Sequence, residues 1–206
     1  MSKLYIIGAG PGTLDYLLPA AIREIEKADC LIGAKRILAQ FYSPDQKKIY
    51  LEGHFKEAGS FIKKNKDKKR IVLLVSGDPG LYSFLRQVEL ILKKKEYIII
   101  PGISTLQLAF ARMGESWQDA KIISVHGRPP GNLAEEVNAA AKVFLLTDRK
   151  FPPQKIAGYL LERGIKNRKT VVFENLSYAD ERIVKTNLIS LSKMRGFGLC
   201  VMVVTK

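Results

Sequence analysis

Hydrophobic positions divide the first half of this chain into two alternating kinds of segment. Short, almost continuous apolar runs predict strands that are buried on both faces, and longer segments with apolar residues every three or four positions predict helices. The predicted strands are 4–7, 30–32, 48–51, 71–75 and 97–100, and the predicted helices are 14–27, 34–41, 55–65 and 81–94. This alternation is typical of a parallel sheet with helices on its faces.

The second half has more predicted strands than helices. The strands are 121–125, 143–146, 170–173, 182–184 and 199–204, and the clear helical segments are 133–141 and 153–163. Since few helices are available for parallel crossovers, we expect a mixed sheet. A helix that follows 101–104 ends at Gly114, so we place a domain boundary there and predict two α/β domains, 1–112 and 113–206.

Composition indicates a globular chain with a real core. It has 206 residues, of which 47% are hydrophobic and 26% are charged. No apolar run approaches the roughly 18 residues of a spanning helix, and the N-terminus enters a strand without a signal-peptide pattern, so we expect a cytoplasmic protein without a membrane partner. Cys30 and Cys200 lie in apolar segments and are expected to be buried thiols, with no disulfide framework and no metal site.

The net charge of +14 and the pI near 9.8 indicate an anionic partner. The anionic partner is nucleic acid, a membrane surface, or a polycarboxylate or phosphate substrate, and composition does not distinguish among these. The lysine-rich runs at 63–70 and 93–95 lie in hydrophilic connections before strands, where solvated turns are the simplest interpretation.

The first glycine-rich loop, GAGPG at 8–12, follows a strand and precedes a helix. Its spacing differs from the G-x-G-x-x-G of dinucleotide-binding loops, and Pro11 removes a backbone donor. The second strand also lacks the carboxylate that would bind a nicotinamide ribose. Lys35 and Arg36 lie near that position and can accommodate a 2′-phosphate, so NADP stays open as an alternative. The other alternative is that the glycines serve only the close packing of strand and helix.

Two further loops, SGDPG at 76–80 and PGIST at 101–105, also follow strands and open helices. Because the carboxyl ends of parallel strands meet at one edge of a sheet, all three loops are expected to converge there, where ligands bind in such folds. Asp78 offers a carboxylate to hydroxyl or ammonium groups of a ligand, or it caps the following helix; both interpretations stay open.

Other catalytic motifs are absent, including G-x-x-x-x-G-K-[ST], G-x-S-x-G and H-E-x-x-H. The two histidines are His54, which we interpret as incidental, and His126. His126 begins a glycine and proline loop in which Arg128 is placed either to bind a carboxylate or to lie in a solvated turn.

Together, GAGPG, SGDPG and PGIST resemble the tetrapyrrole methylase family over essentially the whole chain. Within it, SVHGR at 124–128, FLLTD at 144–148, YLLERG at 159–164 and ENLSYADERI at 174–183 resemble the precorrin-7 and cobalt-precorrin-7 C5-methyltransferases of the cobalamin pathway. The resemblance implies two α/β domains, N-terminal mostly parallel and C-terminal mixed, with S-adenosyl-L-methionine in a cleft between them and S-adenosyl-L-homocysteine as product. It also implies a homodimer.

By this resemblance, residues of both domains bind the cofactor. They are Pro11, Gly77, Asp78, Leu81, Ser104, Thr105, Leu146 and Leu176. The expected substrate is a polycarboxylate tetrapyrrole, with Arg128 and Arg182 as clamps for its acetate and propionate groups. The predicted substrate-binding residues are Gly10, Gly12, His126, Arg128, Tyr178 and Arg182.

Methyl transfer from the sulfonium of the donor to an electron-rich ring carbon requires mainly that the reacting atoms are aligned, so no residue is predicted as a catalyst. C15 methylation and decarboxylation, which some relatives carry in a second domain, are expected in a separate protein. The alternatives are a ribosomal RNA ribose 2′-O-methyltransferase of the same fold and an NADP-binding reductase. ENLSYADERI is unlike the corresponding segment of the RNA branch, so a nucleic-acid partner is disfavoured.

Overall fold

The computed structural model describes residues 4–41, 45–51 and 55–206, and His54 lies outside them. The chain divides into two compact units, Met1–Ser104 and Thr105–Lys206. The predicted boundary between 112 and 113 lies at the far end of the helix that opens the second unit.

The first unit contains a five-stranded sheet in the order β3-β2-β4-β1-β5. Every neighbouring pair is parallel, as predicted. The strands are β1 (Leu4–Gly8), β2 (Cys30–Gly33), β3 (Lys47–Tyr50), β4 (Ile71–Val75) and β5 (Tyr97–Ile100). The helices are α1 (Pro19–Glu26), α2 (Lys35–Leu38), α3 (Phe55–Asn65) and α4 (Leu85–Glu89), with 3-10 turns at Leu14–Tyr16 and Lys94–Glu96.

The central strands β2, β4 and β1 are buried on both faces, which explains why they read as continuous apolar runs. Leu73 packs on one face with Ile62 of α3 and Val88 of α4. Its neighbour Leu74 packs on the other face with α1 and α2. Alternate residues of each strand therefore belong to different clusters, as the two-residue period of a strand requires.

Three predicted helices of the first unit are shorter in the structure, and 34–41 is α-helical only over Lys35–Leu38. The segment 14–27 begins with a 3-10 turn, and its α-helix starts only at Pro19, because proline is favoured in the first turn and disfavoured further inside. The segment 81–94 is α-helical only over Leu85–Glu89. Tyr82 adopts a positive φ of 48°, which a right-handed helix does not allow.

The second unit contains a mixed sheet in the order β6-β7-β10-β8-β9. The β6–β7 pair is parallel and the other three pairs are antiparallel, so the predicted mixed sheet is confirmed. The strands are β6 (Lys121–Ser124), β7 (Lys142–Leu146), β8 (Lys169–Glu174), β9 (Arg182–Asn187) and β10 (Cys200–Thr205). The helices are α5 (Thr105–Met113), α6 (Leu133–Ala139), α7 (Pro153–Glu162) and α8 (Leu188–Lys193).

The pattern did not predict α8. Its signal is an asparagine cap: Asn187 Oδ1 accepts a hydrogen bond of 2.9 Å from the backbone N–H of Ser190, and Leu188 and Leu191 follow at helical spacing. Both leucines are buried with α7 in the main core of the unit. On α5, Phe110 is fully buried, with its ring centroid 6.5 Å from that of Phe144 in β7. This contact ties α5 to the second sheet.

Both cysteines are free and buried, as predicted. Burial raises the pKa of each thiol to about 11, so both stay protonated at neutral pH. In the part of the chain that the structure describes, no helix has the length and apolar character needed to cross a membrane.

Candidate active site

The three glycine-bearing loops lie side by side at the carboxyl edge of the first sheet. Gly8 at the end of β1 pairs in register with Val75 at the end of β4, and Ile7 pairs with Ile100 at the end of β5. The loops that follow these strands are therefore neighbours, and the predicted convergence is confirmed.

Glycines are required where these loops meet. A Cβ atom on Gly8 would lie 2.5 Å from the carbonyl oxygen of Gly77 and 2.6 Å from the nitrogen of Gly102. A Cβ atom on Gly102 would collide with the same oxygen and would lie 2.7 Å from the backbone of Gly8. Gly8 and Gly102 thus allow the backbones of the three loops to pack in direct contact.

The first loop is bonded within the protein. The Gly77 N–H donates to the Gly10 carbonyl at 2.8 Å, and the Gly10 N–H donates back at 3.3 Å. Gly10 has a φ of 75°, and Pro11 and Gly12 are buried beside it. The Ala9 N–H also has a partner, the Val75 carbonyl at 2.8 Å. These two N–H groups are therefore committed, which counts against a phosphate cradle of the dinucleotide type.

Asp78 connects the second loop to the third. Its Oδ1 accepts a hydrogen bond of 2.7 Å from the Gly80 N–H, and its Oδ2 accepts one of 3.1 Å from the Gly102 N–H. The residue before the next helix, α4, is Phe84, so Asp78 does not cap that helix. Each carboxylate oxygen accepts one protein hydrogen bond here, and an ionised carboxylate has about four acceptor positions in all.

The neighbouring predicted cofactor residues differ in exposure. Leu81 is half-buried, and its N–H donates to the Asp78 carbonyl at 3.1 Å. Ser104 is buried at 4% exposure at the end of the third loop, and Thr105, half-buried, is the first residue of α5.

Sequence reasoning missed how α2 supports two of the loops. Arg36 was considered only for a 2′-phosphate, whereas its Nη2 donates to the Ser76 hydroxyl at 3.1 Å. Gln40, just after α2, donates from Nε2 to the Gly12 carbonyl at 2.6 Å. Arg36 and Gln40 both follow a parallel strand, so their polar side chains can reach the same edge of the sheet. This position was the signal that the sequence offered.

The predicted residues of the second unit also share one sheet edge. Leu146 ends β7 and pairs with Ser124 at the end of β6 and with Val201 near the start of β10. Glu174 ends β8 and pairs with Cys200 and Arg182. This edge carries the following predicted site residues, within or directly after its strand ends: His126, Arg128, Leu146, Leu176, Tyr178 and Arg182.

His126 is exposed but fixed by its neighbours. Its Nδ1 lies 3.1 Å from the carbonyl oxygen of Thr147, and its backbone N–H donates to the Ser124 hydroxyl at 3.3 Å. Next to it, the Gly127 N–H donates to Asp148 Oδ2 at 2.7 Å. The loop after β6 is thereby attached to the loop after β7.

Asp148 was not singled out from the sequence. Its Oδ1 accepts hydrogen bonds of 2.8 and 2.7 Å from the N–H groups of Lys150 and Phe151. Burial raises the pKa of this carboxyl, but the three backbone donors and nearby His126 outweigh burial, so the net effect is a lowered pKa. Asp148 is therefore an anion that orders this loop.

The loop after β8 contains two residues in the left-handed region. Asn175 has a φ of 50° and Ser177 a φ of 74°, and they flank Leu176, which is buried at 5% exposure. Such conformations are costly for non-glycine residues and persist where the surroundings impose them. Here the Asn175 N–H donates to the Leu199 carbonyl at 2.9 Å, and the Ser177 N–H donates to Glu181 Oε2 at 2.7 Å.

Glu181 is held in turn by α5. Arg112 Nε donates to Glu181 Oε1 at 2.6 Å. This bond, together with the Ser177 N–H, outweighs burial and lowers the pKa of the Glu181 carboxyl. Tyr178 lies half-buried in the same loop, and its N–H donates to the Asn175 carbonyl at 3.0 Å.

The two predicted arginine clamps have different surroundings. Arg182 donates from Nε and Nη2 to Oε2 of Glu174 at 2.7 and 2.6 Å, and Glu174 is only 8% exposed. Two guanidinium nitrogens of Arg182 are therefore engaged by a buried carboxylate. Arg128 is exposed in the loop after β6. Contact of either residue with a substrate stays a prediction.

Comparison with known proteins agrees with the two α/β units and the loops described above. A model of the Tetrapyrrole (Corrin/Porphyrin) Methylases matches residues 3–192. The chain is 37% identical over 189 residues to a probable cobalt-precorrin-7 C(5)-methyltransferase of Methanocaldococcus jannaschii, covering 87% of each protein. It is 36% identical to the cobalt-precorrin-7 C(5)-methyltransferase of Salmonella typhimurium, covering 87% of this chain and 88% of that one.

A solved structure has the same fold. It is the uroporphyrin-III C-methyltransferase of Thermus thermophilus complexed with S-adenosylhomocysteine, which superimposes with a TM-score of 0.79 at 21% identity and covers 98% of this chain and 92% of that one. The predicted fold class, a parallel and a mixed α/β domain of this type, is thus confirmed. The family match and the two relatives confirm the prediction of a methyltransferase. The chain belongs to the tetrapyrrole (corrin/porphyrin) methylases.

Proposed function

We propose that this enzyme transfers a methyl group from S-adenosyl-L-methionine to C5 of precorrin-7 or its cobalt form, a step of cobalamin biosynthesis. The observation that carries the proposal is the identity of 37% and 36% to two cobalt-precorrin-7 C(5)-methyltransferases over 87% of the chain. Most of the motifs that first suggested this reaction lie at the strand ends of each unit, and YLLERG lies at the C-terminal end of α7.

The residues of the first unit fit the chemistry of the methyl donor. Its ribose hydroxyls and amino group are hydrogen-bond donors, and the Asp78 carboxylate has acceptor positions beyond its bonds to Gly80 and Gly102. The half-buried side chain of Leu81 offers apolar contact. S-adenosyl-L-methionine carries no phosphate, which agrees with the internally bonded N–H groups of Ala9 and Gly10.

The full set of proposed cofactor contacts includes both units. In the first unit they are Pro11, Gly77, Asp78, Leu81 and Ser104, and in the second unit they are Thr105, Leu146 and Leu176. Because Pro11, Ser104 and Leu176 are buried, we propose that they shape the backbone of their loops more than they offer side-chain surface.

The substrate of the proposed reaction carries several carboxylates, which accounts for part of the net charge of +14. We propose Arg128 and Arg182 as clamps, since an exposed guanidinium can bind a carboxylate through two parallel hydrogen bonds. Arg182 would do so while it is also bonded to Glu174. The remaining proposed contacts are Gly10, Gly12, His126 and Tyr178.

The proposal also includes the oligomeric state and the cellular location of the enzyme. We propose a homodimer, and a separate protein that methylates C15 and removes a carboxyl group. We also propose a cytoplasmic location, since Cys30 and Cys200 are both free thiols, as in a reducing compartment.

The cofactor is tested by calorimetry with S-adenosyl-L-homocysteine and with NADP. We expect the first to bind and the second not to bind. Tight NADP binding without any binding of S-adenosyl-L-homocysteine would restore the reductase alternative.

The substrate class is tested by incubating the protein with labelled S-adenosyl-L-methionine and either precorrin-7, cobalt-precorrin-7 or ribosomal RNA. We expect label in one or both corrinoids and none in RNA. Label in RNA alone would replace the proposed reaction with ribose methylation.

A further inference from the structure

We propose that His126 is the catalytic base of this reaction, and that its Nε2 takes the proton that the methylated carbon loses. The inference rests on the proposed C-methylation and adds to it a residue for proton removal. It is carried by the geometry of the imidazole at the strand edge of the second unit.

C-methylation of this kind leaves a proton to be removed. S-adenosyl-L-methionine supplies the methyl group, whose bond to sulfur breaks with both electrons staying on sulfur as the bond to the ring carbon forms. When the methylated carbon already carries a hydrogen, it keeps that hydrogen, and the conjugated macrocycle gains one positive charge. Neutrality returns when the C–H bond breaks, its electron pair rejoins the ring, and a base accepts the proton.

The contact with Thr147 fixes which nitrogen of His126 can act as that base. A carbonyl oxygen only accepts hydrogen bonds, so Nδ1, 3.1 Å from the Thr147 oxygen, must carry the hydrogen and donate it. In the neutral ring Nε2 then has a free lone pair. The side chain is exposed, so this lone pair can meet a substrate that lies over the sheet edge.

The backbone holds the ring in place. The Val125 N–H donates to the Leu146 carbonyl at 3.0 Å and continues the β6–β7 ladder up to the histidine. The Gly127 N–H, 2.7 Å from Asp148 Oδ2, fixes the residue after it. Thus the residues on both sides of His126 are bonded to the residues on both sides of its ring partner, Thr147.

The Asp148 carboxylate is held as an anion and interacts electrostatically with nearby His126. From the exposed ring the proton then passes to water, which returns the base to its neutral state. This arrangement resembles that of other enzymes in which a carboxylate or carbonyl orients the histidine base.

The tautomer can be measured without any substrate. Long-range ¹H–¹⁵N spectra of the intact protein distinguish the two neutral forms, and the chain's only other histidine is His54, so a His54→Gln variant assigns the signals. We expect Nδ1–H for His126. An Nε2–H form as the neutral tautomer would overturn the proposal, because the required lone pair would be absent.

The role in proton removal is tested with His126→Gly, using His54→Gly as the matched control. We expect the first variant to lose methyl transfer by about 100-fold or more, the usual range for a lost general base. S-adenosyl-L-homocysteine binding, followed by calorimetry, should change by less than about threefold, which corresponds to roughly 0.6 kcal/mol. Added imidazole should restore activity at least tenfold in the His126 variant and should have no effect on the control.

A substrate deuterated at the methylated carbon adds a second readout. In His126→Gly proton removal should limit the rate, so deuterium should slow the variant more than the wild type. Activity within threefold of wild type, no rescue by imidazole, or no added isotope effect would each overturn the base assignment while leaving the proposed function intact. If the wild type transfers no methyl group to either corrinoid, both proposals fall together.

Discussion

The Asp78 carboxylate accepts a hydrogen bond from the backbone N–H of Gly102, 3.1 Å away, and so joins the loop after β4 to the loop after β5. Its other oxygen is bonded to the Gly80 N–H at 2.7 Å. One side chain therefore sets the positions of two loops that are proposed to contact the methyl donor.

Replacing Asp78 by alanine should weaken binding of S-adenosyl-L-homocysteine without unfolding the chain. Removal of this acceptor should cost about 1–3 kcal/mol of binding free energy. Asp78→Asn keeps one acceptor oxygen and should lose less. Calorimetry and thermal unfolding of both variants test this, and unchanged affinity with a lowered melting temperature would limit Asp78 to a structural role.

Gly102→Ala should destabilise the first unit, because its new Cβ atom would collide with the Gly77 carbonyl oxygen and the Gly8 backbone. Overpacking of this kind costs about 1–3 kcal/mol. The matched control is Gly158→Ala in α7, where an added Cβ meets nothing within 4 Å and alanine favours the helix by about 0.5–1 kcal/mol. Denaturant unfolding should shift the two variants in opposite directions, and equal shifts would contradict the close packing of the three loops.

Glu181 should make the stability of the protein fall in acid. Its pKa is lowered in the folded state, chiefly by Arg112, so its stabilising effect is complete above the ordinary value of 4.5 and is lost as the pH falls below it. Glu181→Gln should therefore be less stable than wild type at pH 7, and the difference should shrink toward pH 3. Urea unfolding at several pH values measures this; a constant difference would show that the charge of Glu181 is not involved.

The fold and the convergence of the three glycine-bearing loops were predictable because they depend on local patterns. Continuous apolar runs gave both sheets, and glycine loops after parallel strands had to reach one edge. The missed features depend on long-range contacts: Gln40 meets Gly12 and Arg112 meets Glu181 only after folding. The left-handed conformations of Asn175 and Ser177 leave no glycine signal in the sequence, since tertiary bonds impose them.

The basic surface distinguishes a corrinoid substrate from RNA. Lys66 is ion-paired with Asp67 and with Glu96 at 3.0 and 2.9 Å, so it is left unchanged, and Lys63, Lys64, Lys68 and Lys69 are replaced by glutamine. Arg128→Ala should reduce corrinoid methylation more than this fourfold variant does, because a positioned guanidinium orients the substrate, whereas distant charges are screened beyond about 8–10 Å. The reverse ranking, with methylation of RNA that weakens steeply as salt rises, would favour the RNA alternative.

The position of the transferred methyl group tests the central claim most directly. Precorrin-7, with and without cobalt, is incubated with the protein and S-adenosyl-L-methionine carrying a ¹³C methyl group, and the product is examined by NMR. The proposed function predicts one new methyl signal coupled to the C5 carbon. A methyl group on any other ring carbon, or no transfer to either form by a protein that binds S-adenosyl-L-homocysteine, would contradict it.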